Sequence, residues 1–417
     1  MKRRLKMETK RGRALAVAGA MMLGLTAFGA NAQAQTVYNI AGLADFTGPF
    51  ADIMKDMTGC RNAVLDWWSE EVGKGQGVAL KAKDYDTRYD VAQVASLWPG
   101  IRSELNPIAA FGVGGSDANA LQQRLPNDKL PLVVATAGYG FNWKSDNWVF
   151  NARPTYPHEA AAFYTWMQKK SGSTEPIKLG LISSEVSPAY VDIHNGVEKF
   201  AKDNPDVLTV VETVYTEAQP TDLTQQVNRL LRNGATVFQV FNNTASVVAV
   251  QRALQSLGKS DVPIVMSAHN GLLSSGRALN DLSQMNGNYE VYGMALPAEQ
   301  STTVREFFDK LTNEYKLKAN FNSSCFMGLS QALIVARAFE SAVEKKGAEG
   351  VTGEDVRNAL LSTPIPTEKT FGVLPNIQYT NEAPFPTKGL GVNIGTVENG
   401  EYKLVEQNVP VPTLNRW

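Results

Sequence analysis

The 417-residue chain is short of the side chains that metal and redox chemistry need, with three histidines and two cysteines. His158, His194 and His269 are too few and too scattered to suggest a metal set. Cys60 and Cys325 form neither a zinc spacing nor a Cys-x-x-Cys pair; in an oxidising compartment they could join, but they lie far apart in sequence, so their pairing stays open. There is no Gly-x-Ser-x-Gly elbow and no His-Glu-x-x-His. The glycine loop at residues 112–116 (GVGGS) is followed by no Lys-Ser or Lys-Thr and lacks the spacing of a dinucleotide fingerprint. An excess of one charge is also missing, since 40 basic side chains face 41 acidic ones, and no basic face for nucleic acid is suggested. Asp84 and Asp86 project to one face at a strand end, but a partner for acid–base work is not found, so turn and helix-start roles suit them better. His194, in mid-helix, is expected to be solvated.

Residues 14–30 form an apolar run behind a basic stretch (KRRLKMETKRGR), with Ala-x-Ala choices at Ala30-Asn31-Ala32 and Ala32-Gln33-Ala34. This is the form of a cleaved export signal over residues 1–34. The run is short for a membrane span, and no cysteine stands at the cleavage site to accept a lipid. A soluble, exported protein is expected, with an uncleaved anchor as the rival reading. Removing residues 1–34 leaves 33 basic and 40 acidic side chains, a formal charge of −7. The remainder is long enough for two lobes of ordinary domain size.

From residue 37 onward the chain alternates strand and helix. Strand patterns are expected at 37–44, 79–84, 108–113, 131–135 and 148–152, with helices near 51–72, 90–104 and after the glycine loop, where Ser116 or Asp117 would serve as N-cap. Two prolines in Arg153-Pro154-Thr155-Tyr156-Pro157 interrupt the pattern, as a hinge crossing would. A second series follows, with strands at 178–183, 208–215, 236–241, 263–267 and 289–296 separated by helices. Two long helical patterns, 302–315 and 323–344, precede a proline-rich tail from residue 364. The fold class expected is α/β, two Rossmann-like lobes with parallel sheets.

Small or polar loops recur at the strand ends: Thr47-Gly48, Gly115-Ser116, Thr136-Ala137, Ser183-Ser184, Asn242-Asn243-Thr244 and Ala268-His269. Each alone is an ordinary turn or cap, but their repetition at one edge favours a ligand cleft. Gly115-Ser116 opens a helix, where unpaired N–H groups and a dipole welcome an anion. Tyr139, Phe141, Trp143 and Trp148 crowd one loop; Trp148 suits the core under it, while Tyr139 and Trp143 could line the apolar part of the cleft.

Nearly the whole chain after residue 36 resembles the type I periplasmic binding proteins of the leucine/isoleucine/valine-binding family, which serve ABC importers. The resemblance is carried by IAGLADFTGPFAD, KDYDTRYDVAQVA, GVGGSDANA, LPLVVATAG, LISSEVSPAY, VFQVFNNTASVVAVQRALQSLG and VPIVMSAH, in that order. It implies two lobes joined by a three-crossing hinge, residues 36–153 plus 298–370 and residues 154–297 plus 371–417, which close on a small-molecule ligand. It places Ser116 and its amides on a ligand carboxylate, with Ala135, Thr136 and Ala137 beside it, and Tyr190 (or Ser187), Asn243 and His269 opposite. The implied partners are permease and ATPase subunits; a monomer is expected, with no cofactor and no catalysis. A sensory protein of the same fold and, less favoured, a secreted α/β hydrolase are the alternatives. The chain departs from the amino-acid binders of this type at two places. His269 stands where they carry an acid for the ligand ammonium, and Ile53 or Met54 where they carry a tyrosine. Both departures point toward an acid without an α-amine, with amino acids as the broader class.

Overall fold

The structure, a computed structural model, describes residues 35–135, 140–186, 188–298, 302–387 and 390–417. The expected export signal, residues 1–34, lies outside the described residues.

The first lobe begins with β1 (Thr36–Ala44), α1 (Ala51–Glu71), β2 (Val78–Asp86), α2 (Val91–Leu105), β3 (Ala109–Gly112), α3 (Gly115–Leu121), α4 (Leu125–Asp128), β4 (Leu132–Val134) and β5 (Val149–Asn151). The five strands form a parallel sheet in the order β2-β1-β3-β4-β5. Its central strands, AAFG and LVV, are buried at every position, as strands covered by helices on both faces must be. Asp90 caps α2 by accepting the Gln93 N–H at 2.7 Å.

The second lobe comprises α5 (Tyr156–Ser171), β6 (Ile177–Ser183), α6 (Pro188–Asp203), β7 (Leu208–Tyr215), α7 (Thr224–Arg232), β8 (Val237–Val240), α8 (Thr244–Ser256), β9 (Ile264–Met266), α9 (Leu272–Ala278) and β10 (Tyr289–Tyr292). The chain then returns to the first lobe for α10 (Thr302–Glu314), α11 (Ser323–Lys346) and α12 (Gly353–Ser362), and crosses back for β11 (Gly391–Glu398) and β12 (Glu401–Pro410). The second sheet has the order β12-β11-β10-β9-β8-β6-β7. It is parallel except for β11 and β12, which run antiparallel as a hairpin at one edge. The expected proline-rich tail thus contains two strands. Their signal was the Asn399-Gly400 pair, both at positive φ (54° and 77°), the turn chemistry of a two-residue hairpin.

Helix α11 is the spine of the first lobe. By length and composition it could cross a membrane, yet 89% of its apolar window is buried inside the protein. It packs along α1 so closely that a Cβ on Gly328 would meet the Met57 carbonyl oxygen at 2.0 Å, which leaves only glycine at that position. Cys60 of α1 and Cys325 of α11 form a disulfide across the same seam, answering the pairing that the sequence leaves open.

Three segments join the sheets. In the first, Arg153 is buried between the rings of Tyr156 and Tyr292, at 4.5 and 4.7 Å, and pairs with Glu159. Glu159 also accepts the N–H of Gly293 in the second crossing at 2.8 Å. Before the third crossing, residues after 370 still touch the first lobe. Phe371 stacks on Phe307 at 3.9 Å, and the Tyr379 hydroxyl donates to the carbonyl of Asn151 at 2.8 Å.

Candidate ligand-binding cleft

Right-handed strand–helix connections bring the carboxyl ends of the parallel strands, and the loops after them, to one edge of each sheet. The two edges face each other. From the first lobe come Phe50, Ile53 and Met57 at the start of α1, Tyr89 from the loop before α2, Val113 after β3, and Met327 of α11. From the second come Tyr156, Ala189, Tyr190, Ile193 and His269. Between them lies a cavity of about 10 Å³, the room that one water molecule needs. The lobes are closed on each other, and a ligand of several heavy atoms requires them to part. A larger groove of 240 Å³ lies at the crossings, against Gly293, Met294 and Leu374, away from the strand-end loops.

Among the described residues, no carboxylate or ammonium lines the cavity. His269 stands nearest to being a charge. Its Nε2 lies 3.1 and 3.0 Å from the carbonyl oxygens of Phe241 and Asn242, and its Nδ1 lies 2.8 Å from the Tyr156 hydroxyl. Burial pushes its pKa down to about 4, so the ring is neutral near pH 7. Asp45 and Asp117 are close by but outside the lining, each with one oxygen hydrogen-bonded to backbone and the other buried without a hydrogen-bond partner. Asp45 accepts the Phe50 N–H at 2.8 Å, and Asp117 accepts those of Val113 and Gly114 at 2.6 and 3.1 Å. Burial raises both carboxyls, that of Asp117 to about 7. Gly114 is therefore the N-cap of α3, rather than Ser116 or Asp117, and Asp117 reaches back from inside the helix to hold the loop. The Gly115 N–H donates to the Tyr89 hydroxyl oxygen at 2.9 Å.

Of the residues singled out in the sequence, Ile53, Tyr190 and His269 line the cavity, and Met54 does not. Ser116 is buried at the start of α3 beside Tyr89, outside the lining. Ala135 lies in the core after β4, its N–H donating to Gly112 at 3.1 Å. Thr47 is exposed and donates its hydroxyl proton to Asp86 at 2.6 Å. Asn243 joins the lobes rather than lining the cavity, its Nδ2 donating to the Pro49 carbonyl at 3.2 Å. Thr136, Ala137, Tyr139 and Ser187 lie outside the described residues. Trp143 does not line the cavity; it packs on His158, Phe385 and Trp417. Trp148 belongs to the core, under the guanidinium of Arg357.

His194 is buried, contrary to its expected solvation, with Nδ1 3.0 Å from the Ser183 hydroxyl and Nε2 3.1 Å from that of Tyr215. Neither Ser183 nor His194 lines the cavity, so the pair supports the fold rather than offering a nucleophile. Asp84 pairs with the buried guanidinium of Arg61, a partner that arrives from α1 and that the local pattern around Asp84 does not announce. Sequence reasoning also passes over Phe50, Tyr89, Tyr156 and Met327. Tyr89 follows Arg88 with both at positive φ (55° and 53°), a backbone bend without a glycine to mark it. Met327 comes from the last third of the chain.

A family model described as periplasmic binding protein matches residues 37–384. No curated protein matches the sequence. Among solved structures, a branched-chain amino acid ABC transporter protein from Thermus thermophilus with bound valine is 16% identical, with a TM-score of 0.77, and the match covers 90% of this chain and 96% of that one. A fatty acid ABC transporter substrate-binding protein from Thermomonospora curvata is 18% identical (TM-score 0.73, 91% and 97% covered). A solute-binding protein of an ABC transporter from Rhodopseudomonas palustris HaA2, in complex with p-hydroxybenzoic acid, is 15% identical (TM-score 0.71, 90% and 98% covered). At these identities the likeness is one of fold.

Proposed function

The chain belongs to the periplasmic binding protein family, and from that membership we propose that it is the substrate-binding component of an ABC importer, capturing an amine-free carboxylic acid with an aromatic or branched apolar body. It binds without catalysis, works in the periplasm once residues 1–34 are removed, and hands its ligand to permease and ATPase subunits. The ligands of the similar structures include valine, p-hydroxybenzoic acid and the cargo of a fatty acid transporter, so the fold alone leaves the choice open.

One observation carries the choice: among the described residues the cavity has no carboxylate in its lining, and the residue at the position expected to hold one is a neutral histidine. An α-ammonium group buried there would lack a counter-charge. Leaving it so costs roughly 3 kcal/mol, about a hundredfold in affinity. The rings of Phe50, Tyr89, Tyr156 and Tyr190 supply the apolar body of the site. On the first-lobe side, the Tyr89 hydroxyl, whose oxygen accepts the Gly115 N–H, is the group that offers a hydrogen bond to the acid.

Isothermal calorimetry on unfolded and refolded protein, freed of copurified ligand, tests the reading. Leucine and phenylalanine are compared with 4-methylpentanoate and 3-phenylpropionate. The acids are expected to bind and the amino acids to bind about a hundredfold more weakly or not at all. Tight binding of an amino acid while its amine-free counterpart fails would sink the proposal.

A further inference from the structure

Among the described residues, an acid that enters this cleft meets no positive charge in the lining, and the groups just behind the first-lobe wall are carboxylates. Phe50 and Val113 belong to that wall. Behind Phe50 stands Asp45, whose Oδ2 accepts the Phe50 N–H at 2.8 Å. Behind Val113 stands Asp117, whose Oδ2 accepts the N–H groups of Val113 and Gly114 at 2.6 and 3.1 Å. Neither aspartate is exposed to solvent, and the Oδ1 of each is buried without a hydrogen-bond partner. An ionised oxygen held away from both water and donors is costly, and a proton on it removes the cost.

The charges around Asp117 do not relieve it. From the end of β1 it faces the like charge of Asp45, and from α1 it faces Arg61, whose guanidinium is paired with Asp84 of β2. From the loop before α2 it faces the Tyr89 hydroxyl, which burial keeps protonated. Across the cavity the ionisable groups of the lining are Tyr156, Tyr190 and the neutral His269. Burial is the largest influence on Asp117 and holds its pKa at about 7 without ligand. The Tyr89 oxygen accepts the N–H of Gly115, two residues before Asp117, so an acid bound to Tyr89 brings its negative charge beside that carboxyl. Two carboxylates placed in this way, away from water and with no cation of their own, do not both stay ionised.

We propose that the cleft captures its acid together with one proton, taken from solvent onto Oδ1 of Asp117, so that the closed protein holds the charge of the ligand without a second negative charge beside it. The proton on Oδ1 leaves Oδ2 to keep both loop N–H bonds. The inference rests on the amine-free acid proposed above, because a zwitterionic amino acid brings no net charge and has no need of the proton. Below pH 7 Asp117 already carries the proton in the ligand-free protein, and binding is indifferent to pH. Above pH 7 the proton must be taken up, and affinity falls as the pH rises.

Calorimetry with 3-phenylpropionate at pH 6 and pH 8.5, each in two buffers of different ionisation enthalpy, counts the protons taken up on binding. The parent protein is expected to take up close to none at pH 6 and close to one at pH 8.5, its affinity falling about tenfold per pH unit above pH 7. Asp117→Asn has nearly the same shape and is always neutral. It should bind at pH 8.5 about as tightly as the parent does at pH 6, with no uptake at either pH. Asp45→Asn should keep the uptake. Binding by the parent at pH 8.5 without a proton overturns the inference before any variant is made. Uptake that survives in Asp117→Asn, or that is lost in Asp45→Asn, overturns the assignment to Asp117. Binding of phenylalanine with failure of 3-phenylpropionate at both pH values overturns the proposed function and this inference with it.

Discussion

Asp192 shows how burial, more than neighbouring charge, sets the titration of single residues in this protein. Its carboxylate accepts the N–H of Gly140 and the indole N–H of Trp417 (3.1 Å) across the mouth between α6 and the first lobe, and burial still raises its pKa from 3.8 to about 7. The native state therefore holds this proton more tightly than the unfolded chain does. Its contribution is fully present below pH 4 and is lost as the pH rises through about 7. Asp192→Asn keeps an acceptor oxygen and removes the charge. The variant should melt no lower than the parent at pH 8, and its melting temperature should rise less between pH 8 and pH 6. Equal slopes in the two proteins would show that Asp192 titrates normally. His158 and His269 act with the opposite sign, since burial lowers both from 6.5 to about 4; the stability they permit is present above pH 6.5 and lost as the pH falls through about 4. Of all this, the sequence offers only the candidates. His269 and Tyr190 are legible because they follow strand ends, while the fate of a proton depends on carbonyls such as that of Phe241, which no local pattern points at the ring.

Among the elements, α1 and α11 hold the first lobe together although their paired cysteines lie 265 residues apart. Closing so long a loop removes much of the freedom of the unfolded chain. A Cys60→Ser, Cys325→Ser double variant should lose roughly 2–5 kcal/mol. The loss would be read as a lower denaturant midpoint with the sheet signature retained, and an unchanged midpoint would remove the bridge from the account of stability. The helices themselves are legible, since their apolar positions recur at helical spacing. Their partnership is not, because the side chains that meet, such as Gly328 and the Met57 carbonyl, carry no sign of each other in sequence. The β11–β12 hairpin is the converse case, in which Asn399-Gly400 was a local signal in full view.

At the scale of the whole molecule, the lobes are held shut by a few polar ties around an apolar cavity. Asn243 donates to the Pro49 carbonyl at 3.2 Å, Arg277 lies 3.8 Å from Asp56, and Ser323 bonds to Glu290. With a cavity of about 10 Å³, a ligand can reach the site only from a more open state, and closing on it must recover these ties. Asn243→Ala with Arg277→Ala removes two of them, worth roughly 1 kcal/mol for the hydrogen bond and less for the long contact of the exposed Arg277 with buried Asp56. Small-angle scattering should show a larger mean radius of gyration for the ligand-free variant than for the ligand-free parent, and saturating acid should bring the two together. Identical scattering from all four samples would count against opening and closing about the hinge.

The sequence by itself determined the order of strands and helices up to α11, their division into two series, and the edge at which the functional loops emerge. Those features follow from local periodicity, from glycine and proline, and from the single handedness of strand–helix–strand connections. Only the tertiary structure decided which side chains from that edge enclose a ligand. Thr47 turns to Asp86 and Asn243 to the opposite lobe, while Tyr89, Tyr156 and Met327 supply walls that the loops alone did not announce. The physical reason is distance along the chain. A side chain's direction, its desolvation and the owner of a shared proton are set by groups tens or hundreds of residues away, and these become neighbours only when the two lobes pack.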